Sequence, residues 1–303
     1  MNYYEEIKEQ IINNEVTKRV KDYSKNRSDL QTYYNVGKLL YDAGKHYGEG
    51  IIKEYSINLT KEFGKGYGIT NLKRMRKFYY LIEKGAPMAH QLNWSVYIEL
   101  LPIEDINVIK YYIDISIKQK LSKRQLRERI KNKEYERLDE STKLKLINNE
   151  DTDIKDFVKN PIIIKSNEII EKISEKKLQK LILEDLPSFL KELGPGFSFI
   201  DNEFKIQMGS TYNYIDILLF NYEYNCFVVV ELKVTELKKE HIGQIEIYMN
   251  YVDDNLKKIN QNKTIGIIMV EKENNLIMKY CSDKRILSRK FLVHISEEEG
   301  VLC

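Results

Sequence analysis

Cysteine is scarce. The three residues, Cys226, Cys281 and Cys303, are odd in number and scattered. No pair has the spacing of zinc ligands or of a redox couple, so neither a disulfide framework nor a zinc site is expected, and a reduced, cytoplasmic protein is. Long apolar runs are lacking as well. None approaches the roughly 18 residues of a membrane span, so no membrane partner is expected. The opening stretch MNYYEEIKEQ is acidic and amphipathic, unlike a signal peptide. No GxGxxG follows a strand pattern, and GxxxxGK[ST] and GxSxG do not occur. His46, His90, His241 and His294 have no zincin spacing. Dinucleotide redox chemistry, P-loop chemistry, nucleophile-elbow hydrolysis and zincin proteolysis therefore have no footing.

What is present is charge, unevenly spread. The 303 residues are 42% hydrophobic and 31% charged, with a net charge of +3. Residues 1–150 hold 28 Lys+Arg against 21 Asp+Glu, and residues 151–303 hold 21 against 25. The length fits about two domains. The first half reads as helical. Ile7, Ile11, Ile12, Val16 and Val20 have helical spacing over residues 3–25. Tyr33, Val36, Leu39 and Leu40 repeat it over 30–43, with Gly44 as the expected C-cap. Residues 51–63 form a third helix. After a Gly-rich turn at 64–68, Thr70 is the expected N-cap of a fourth, over 71–82. Helix, tight turn and basic helix is a helix-turn-helix pattern. Lys65, Lys73, Arg74, Arg76 and Lys77 lie in it without an acid between them. Residues 118–137 add nine Lys/Arg against three Glu, among them Lys123, Arg124 and Arg127. Such surfaces attract phosphates by charge without reading sequence; a solvated face is the plainer alternative. Ser122 and Gln125 have capping-box spacing.

Periodicity lapses over 148–167, which is expected as a linker between a domain at 1–147 and another at 168–303. The second half reads as a helix over 168–193, which Pro187 kinks or divides, then strands near 197–208, 212–220 and 226–232. A helix over 238–256 follows, then strands at 264–270, 276–280 and 291–295. This α-β-β-β-α-β order is an α/β domain around a mixed sheet.

Two of those strands hold the candidate chemistry. Asp216 stands on one, and Glu231-Leu232-Lys233 end the next. Glu231 and Lys233 share a face, since strand side chains alternate. Two carboxylates and an ammonium at the edge of a buried sheet are costly unless paired or bound to a metal. Asp216 and Glu231, with the Leu232 carbonyl, make an oxygen ligand set for Mg²⁺, with Mn²⁺ as a substitute. Lys233 is placed to handle a proton or phosphate charge, and together these parts would hydrolyse a phosphodiester. Gln244 and Tyr248, at i and i+4 on the following helix, face the same way. A core tyrosine and a surface amide are their plainer readings.

These residues carry a resemblance. Asp216, Glu231-Leu232-Lys233 and Gln244-x-x-x-Tyr248 in this order look like the PD-(D/E)XK nuclease superfamily, and the QxxxY pair is similar to its RecB-like branch. The stretches 59–81, 92–101, 121–138, 189–200, 214–233 and 243–254 resemble the YhcG-like bacterial nucleases. The resemblance implies a winged-helix-like N-terminal domain before a restriction-endonuclease-like domain. It also implies Mg²⁺-dependent cleavage of duplex or branched DNA, a role in restriction or mobile-element defence with a partner from such a system, and homodimers. An acid on the first helix of the nuclease domain is implied too, with Glu184 the candidate and Glu192 the rival. Gln179 stands where the family tends to have Glu, and Ile215 where the superfamily name has Pro. A non-catalytic DNA-binding adaptor and an RNA-directed nuclease are the alternative functions.

Overall fold

The computed structural model describes residues 3–20, 25–170 and 172–295, without the side chains of 16–20 and 25–28. The side chains of Val16 and Val20, the end of the first expected helix near residue 25, and Cys303 lie outside what is described. The chain divides into two compact units, Met1–Tyr135 and Glu136–Cys303.

The first unit is built from α1 (Tyr3–Val20), α2 (Lys25–Tyr47), α3 (Ile51–Phe63), α4 (Ile69–Glu83), α5 (Trp94–Leu100), α6 (Ile106–Lys118) and α7 (Lys123–Lys131). Among its described residues there is no strand, so the β wing of a winged helix has no counterpart there. On α4, Leu72, Met75, Phe78 and Leu81 recur every third residue and are buried, which turns Lys73 and Lys77 to solvent. Gly37 of α2 sits under α4, where a Cβ would lie 2.2 Å from the Met75 carbonyl oxygen. Only glycine permits that approach. Gly64, at φ 90°, supplies the left-handed turn between α3 and α4. Two expected caps move. α4 starts at Ile69 after Gly68, with no side-chain cap from Thr70, and α2 runs through Gly44 to Tyr47. A helix tolerates a glycine where packing holds it, which the buried Val36, Leu40 and Ala43 do. The Ser122–Gln125 capping box is present.

The second unit begins with α8 (Glu140–Asn148). Residues 148–167, expected as a linker, carry a 3-10 turn at Ile154–Phe157 and strand β1 (Ile162–Ser166). The expected helix over 168–193 is two, α9 (Glu175–Glu184) and α10 (Leu186–Leu193). Asp185 ends one and caps the other by accepting from the Ser188 N–H, and Pro187 occupies the first turn, where its missing N–H is harmless. Then follow β2 (Phe197–Met208), β3 (Thr211–Asn221), β4 (Cys226–Glu236), α11 (Lys239–Asn255), β5 (Asn262–Lys272), α12 (Asn275–Lys279) and β6 (Ile286–Ile295). The strand expected at 276–280 is therefore a helix. Asn274 accepts from the Ile277 N–H and starts it, a local signal stronger than five residues of apolar pattern.

The six-stranded sheet has the order β1-β6-β5-β4-β3-β2. β1, β6, β5 and β4 run parallel, and β3 and β2 are antiparallel, so the sheet is mixed. On one face Val228, Val230, Leu232, Ile267 and Met269 pack with Leu178, Leu181 and Ile182 of α9 and Phe189 and Leu193 of α10. On the other, Val229, Ile268 and Val270 pack with Ile245, Met249 and Val252 of α11. Strands buried on both faces read as continuous apolar runs, as Val228–Val230 and Ile265–Val270 do. Gly266 lets α11 seat on β5, since a Cβ there would lie 2.6 Å from the Met249 Sδ.

Candidate active site

The site forms where β3 and β4 part. Their ladder runs from Asn221↔Cys226 to Ile217↔Val230 and stops. One residue further, the Asp216 side chain takes the place of a backbone partner. Its Oδ2 accepts from the Leu232 N–H at 2.7 Å. On the α9 side, the Gln179 Nε2 donates to the Asp216 carbonyl at 3.0 Å. Asp216 is thus held at both its side chain and its main chain.

Glu231 is 2% exposed. Its Oε1 accepts from the Lys233 Nζ at 2.8 Å and from the Gln244 Nε2 at 2.8 Å. Gln244 also bonds the Tyr248 hydroxyl at 3.0 Å, and Tyr248 is buried in the α11 core. The other carboxylate oxygen, Glu231 Oε2, is buried with no hydrogen-bond partner among the described residues. A buried, unpaired carboxylate oxygen normally costs about 1–3 kcal/mol or more, so it marks a position for a ligand.

The electrostatics agree with that crowding. Burial first, and then repulsion from Asp216, pushes Glu231 up to about 7, with Lys233 acting against both. Burial likewise raises Asp216, countered by the Leu232 N–H and by Lys233. For Lys233, burial alone would favour the neutral amine, but the Glu231 carboxylate outweighs it and the ammonium is held above its ordinary value. Burial, then Lys233 and Lys238, lower His241.

The α9 acid that faces this group is Glu175, whose Oε2 lies 4.0 Å from the Lys233 Nζ. Glu184 does not face it: it is exposed and lies 3.6 Å from Lys180. Nine residues of α-helix turn a side chain by about 180°, which explains why the two acids of one helix part company. Glu192 is engaged elsewhere, accepting from the Arg137 guanidinium and from the Ile163 N–H. Spacing could have found Glu175, because it stands at i and i+4 with Gln179 and directly after the cap Ser174.

In the first unit, Lys65, Lys73 and Lys77 are exposed. Arg74 donates to the Asn71 side chain at 3.2 Å. Arg76 pairs with Glu49 at 2.6 Å. Arg127 makes a two-pronged contact with Glu99 at 2.9 Å, and Lys123 lies 3.4 Å from the same acid. Arg124 is exposed on α7.

Among the described residues no group of three His, Cys, Asp or Glu is arranged to hold a metal ion. Two hard carboxylates with one orphaned oxygen still suit a divalent ion that keeps most of its waters. Among the described residues no helix is long and apolar enough to cross a membrane.

Comparison with known proteins bears on this geometry. Residues 155–300 match the family described as the YhcG PDDEXK nuclease domain, and residues 6–137 match the DUF1016 N-terminal domain. The presumptive nuclease YhcG of Escherichia coli (strain K12) is 24% identical over 282 residues, covering 78% of this chain and 75% of that protein. Among solved structures, a repair endonuclease from Pyrococcus abyssi is 19% identical, with 41% of this chain and 49% of that one covered and a TM-score of 0.29. An EndoMS–dsDNA complex is 18% identical, with 43% and 50% covered and a TM-score of 0.27. The chain spans about half the length of these two structures, and at such scores the likeness carries no argument.

Proposed function

Because the chain belongs to the YhcG-type PD-(D/E)XK nucleases, we propose that it is a divalent-metal-dependent DNA nuclease with its centre at Asp216, Glu231 and Lys233. The observation that carries this reading is the unpaired, buried Glu231 Oε2 beside Asp216 at the fork of β3 and β4.

Asp216 and Glu231 would hold the metal, Mg²⁺ or Mn²⁺, with the Leu232 carbonyl beside them. When bound, the ion supplies charge neutralisation at the phosphodiester and lowers the pKa of an attacking water. The chain's own residues do the rest. Gln179 and the Leu232 N–H fix the direction of Asp216. Gln244 and Lys233 hold Glu231 by one oxygen, which leaves the other for the ion. Lys233, paired with Glu231 at 2.8 Å, would act as a charge partner to the phosphate or as a proton donor to the leaving oxygen. Glu175, rather than Glu184, would serve as the α9 acid, since its carboxylate lies 4.0 Å from Lys233. The exposed Lys65, Lys73, Lys77 and Arg124 of the first unit would hold the nucleic-acid backbone. A cytoplasmic setting, homodimers and a restriction or defence partner fit the same reading.

The test is incubation of the full chain with duplex, branched and single-stranded DNA and with RNA, in Mg²⁺, Mn²⁺ or EDTA. Cleavage of DNA with either ion, lost in EDTA and in Lys233→Met, is the expected result. Cleavage in EDTA would remove the metal. Binding without cleavage would make the chain an adaptor.

A further inference from the structure

Past Asp216 the β2–β3 hairpin runs on without β4. β3 leaves β4 at Ile217, yet it stays paired with β2 as far as Met208↔Thr211. One face of this arm is core, because Ile206 and Ile215 are fully buried in the cluster with α11. The other face is open. Tyr212 and Tyr214 are 53% and 51% exposed. They stand two residues apart and so on one face, and the register sets Gln207 opposite Tyr212 and Lys205 opposite Tyr214. The Lys205 Nζ lies 3.7 Å from the centre of the Tyr212 ring. Among the described residues neither tyrosine hydroxyl has a hydrogen-bond partner. Buried isoleucines already anchor the arm, so the two rings do not hold it in place.

The direction of this face follows from a break in alternation. Ile215 packs in the same cluster as Leu218, and Ile217 in the opposite one. Glu203, which the register places across from Asp216, has a left-handed φ of 50°. The arm's faces therefore exchange at Asp216, and the tyrosines lie on the face away from α11. That is the side from which α9 reaches Asp216 through Gln179. On α9, Lys176, Lys177, Gln179, Lys180 and Glu184 line an open groove of about 590 Å³, in which Lys180 lies 3.6 Å from Glu184. An exposed aromatic pair, with Lys205 over one of its rings, thus lies on the strand that leads into Asp216, on the side of the sheet that α9 covers. Aromatic rings beside cations bind unpaired bases through their faces and the backbone through charge. A duplex hides its base faces in its own stack and offers these rings nothing.

We propose that Tyr212 and Tyr214 form a stacking platform for unpaired nucleobases, so that the substrate reaches Asp216 and Glu231 as a single-stranded stretch of DNA, at a flap, gap or loop. The substrate class rests on the nuclease reading above; the platform itself is tested by binding.

The full chain, in EDTA so that nothing is cut, is titrated with three labelled probes: oligothymidylate, an abasic strand of the same length and charge, and a blunt duplex. Wild type should bind oligothymidylate more tightly than the abasic strand. Tyr212→Ala/Tyr214→Ala should lose about 10-fold or more toward oligothymidylate and remain unchanged toward the other two. Tyr212→Phe/Tyr214→Phe should bind as wild type, and both variants should match its Tm. Equal wild-type affinity for oligothymidylate and the abasic strand would overturn the platform, as would a uniform loss toward all three probes. A chain that shows the base-dependent binding but never cleaves would sink the nuclease reading and leave the platform standing.

Discussion

Asp216 does two things at once, and its substitutions separate them. Alanine leaves the buried Leu232 N–H without an acceptor, which costs about 1–3 kcal/mol. Asparagine keeps an acceptor and removes the charge. Asp216→Asn should therefore lose cleavage with a near-native Tm, whereas Asp216→Ala should lose both, as thermal melts beside a plasmid digest would read. Glu231 points the other way. Its ionised carboxylate is buried with one oxygen unpaired, so in EDTA at pH 8 Glu231→Gln should raise the Tm of the chain while abolishing cleavage. An unchanged or lower Tm would contradict that account. The grouping of Asp216, Glu231 and Lys233 at the candidate site was legible as types and spacing on two strands. The α9 acid was missed although the i, i+4 spacing of Glu175 with Gln179 pointed to it, because α9 carries two acids half a turn apart around its axis and the seat of the helix brings Glu175, not Glu184, toward Lys233.

At the scale of elements, the seat of α11 on β5 depends on Gly266. A methyl there meets the Met249 Sδ and the Ile245 side chain, and Gly266→Ala should lower stability by about 1–3 kcal/mol in urea unfolding. The turn before β1 carries a pH response. Asp156 accepts from the Asp153 N–H at 2.6 Å, from Lys145 at 2.8 Å and from Thr142 at 3.0 Å. Burial opposes its charge, but these donors win and hold it below its ordinary value. A lowered acid stabilises the fold above its unfolded value near 3.8 and loses that contribution as the pH falls through the folded one. Asp156→Asn should thus be less stable at pH 7 and lose less than wild type below about pH 4. The long strands were readable because both faces of β4 and β5 are apolar. Residues 276–280 misled because a five-residue apolar pattern fits a helix as well as a strand, and the deciding signal was the cap Asn274 just outside it.

For the whole molecule, charge is divided as 28 Lys+Arg against 21 Asp+Glu in residues 1–150 and 21 against 25 beyond. If the first unit holds the backbone, Lys73→Ala/Lys77→Ala should weaken duplex binding evenly across sequences. The slope of log affinity against log salt should shrink by about 2. A flat salt titration would return α4 to a solvated face. Two units with a helical first half were legible from periodicity. The loss of the expected linker was not, because Ile162 to Ile164 become a strand only once β6 offers an edge 129 residues later. Where β3 and β4 part, the acid proposed to hold the metal is also the last rung of the ladder. A descendant that abandons cleavage is therefore not free to drift at this position. It would keep Asn or another acceptor at 216 while the lysine at 233 decays, so the remains of a silenced site would still be readable from the architecture it supports.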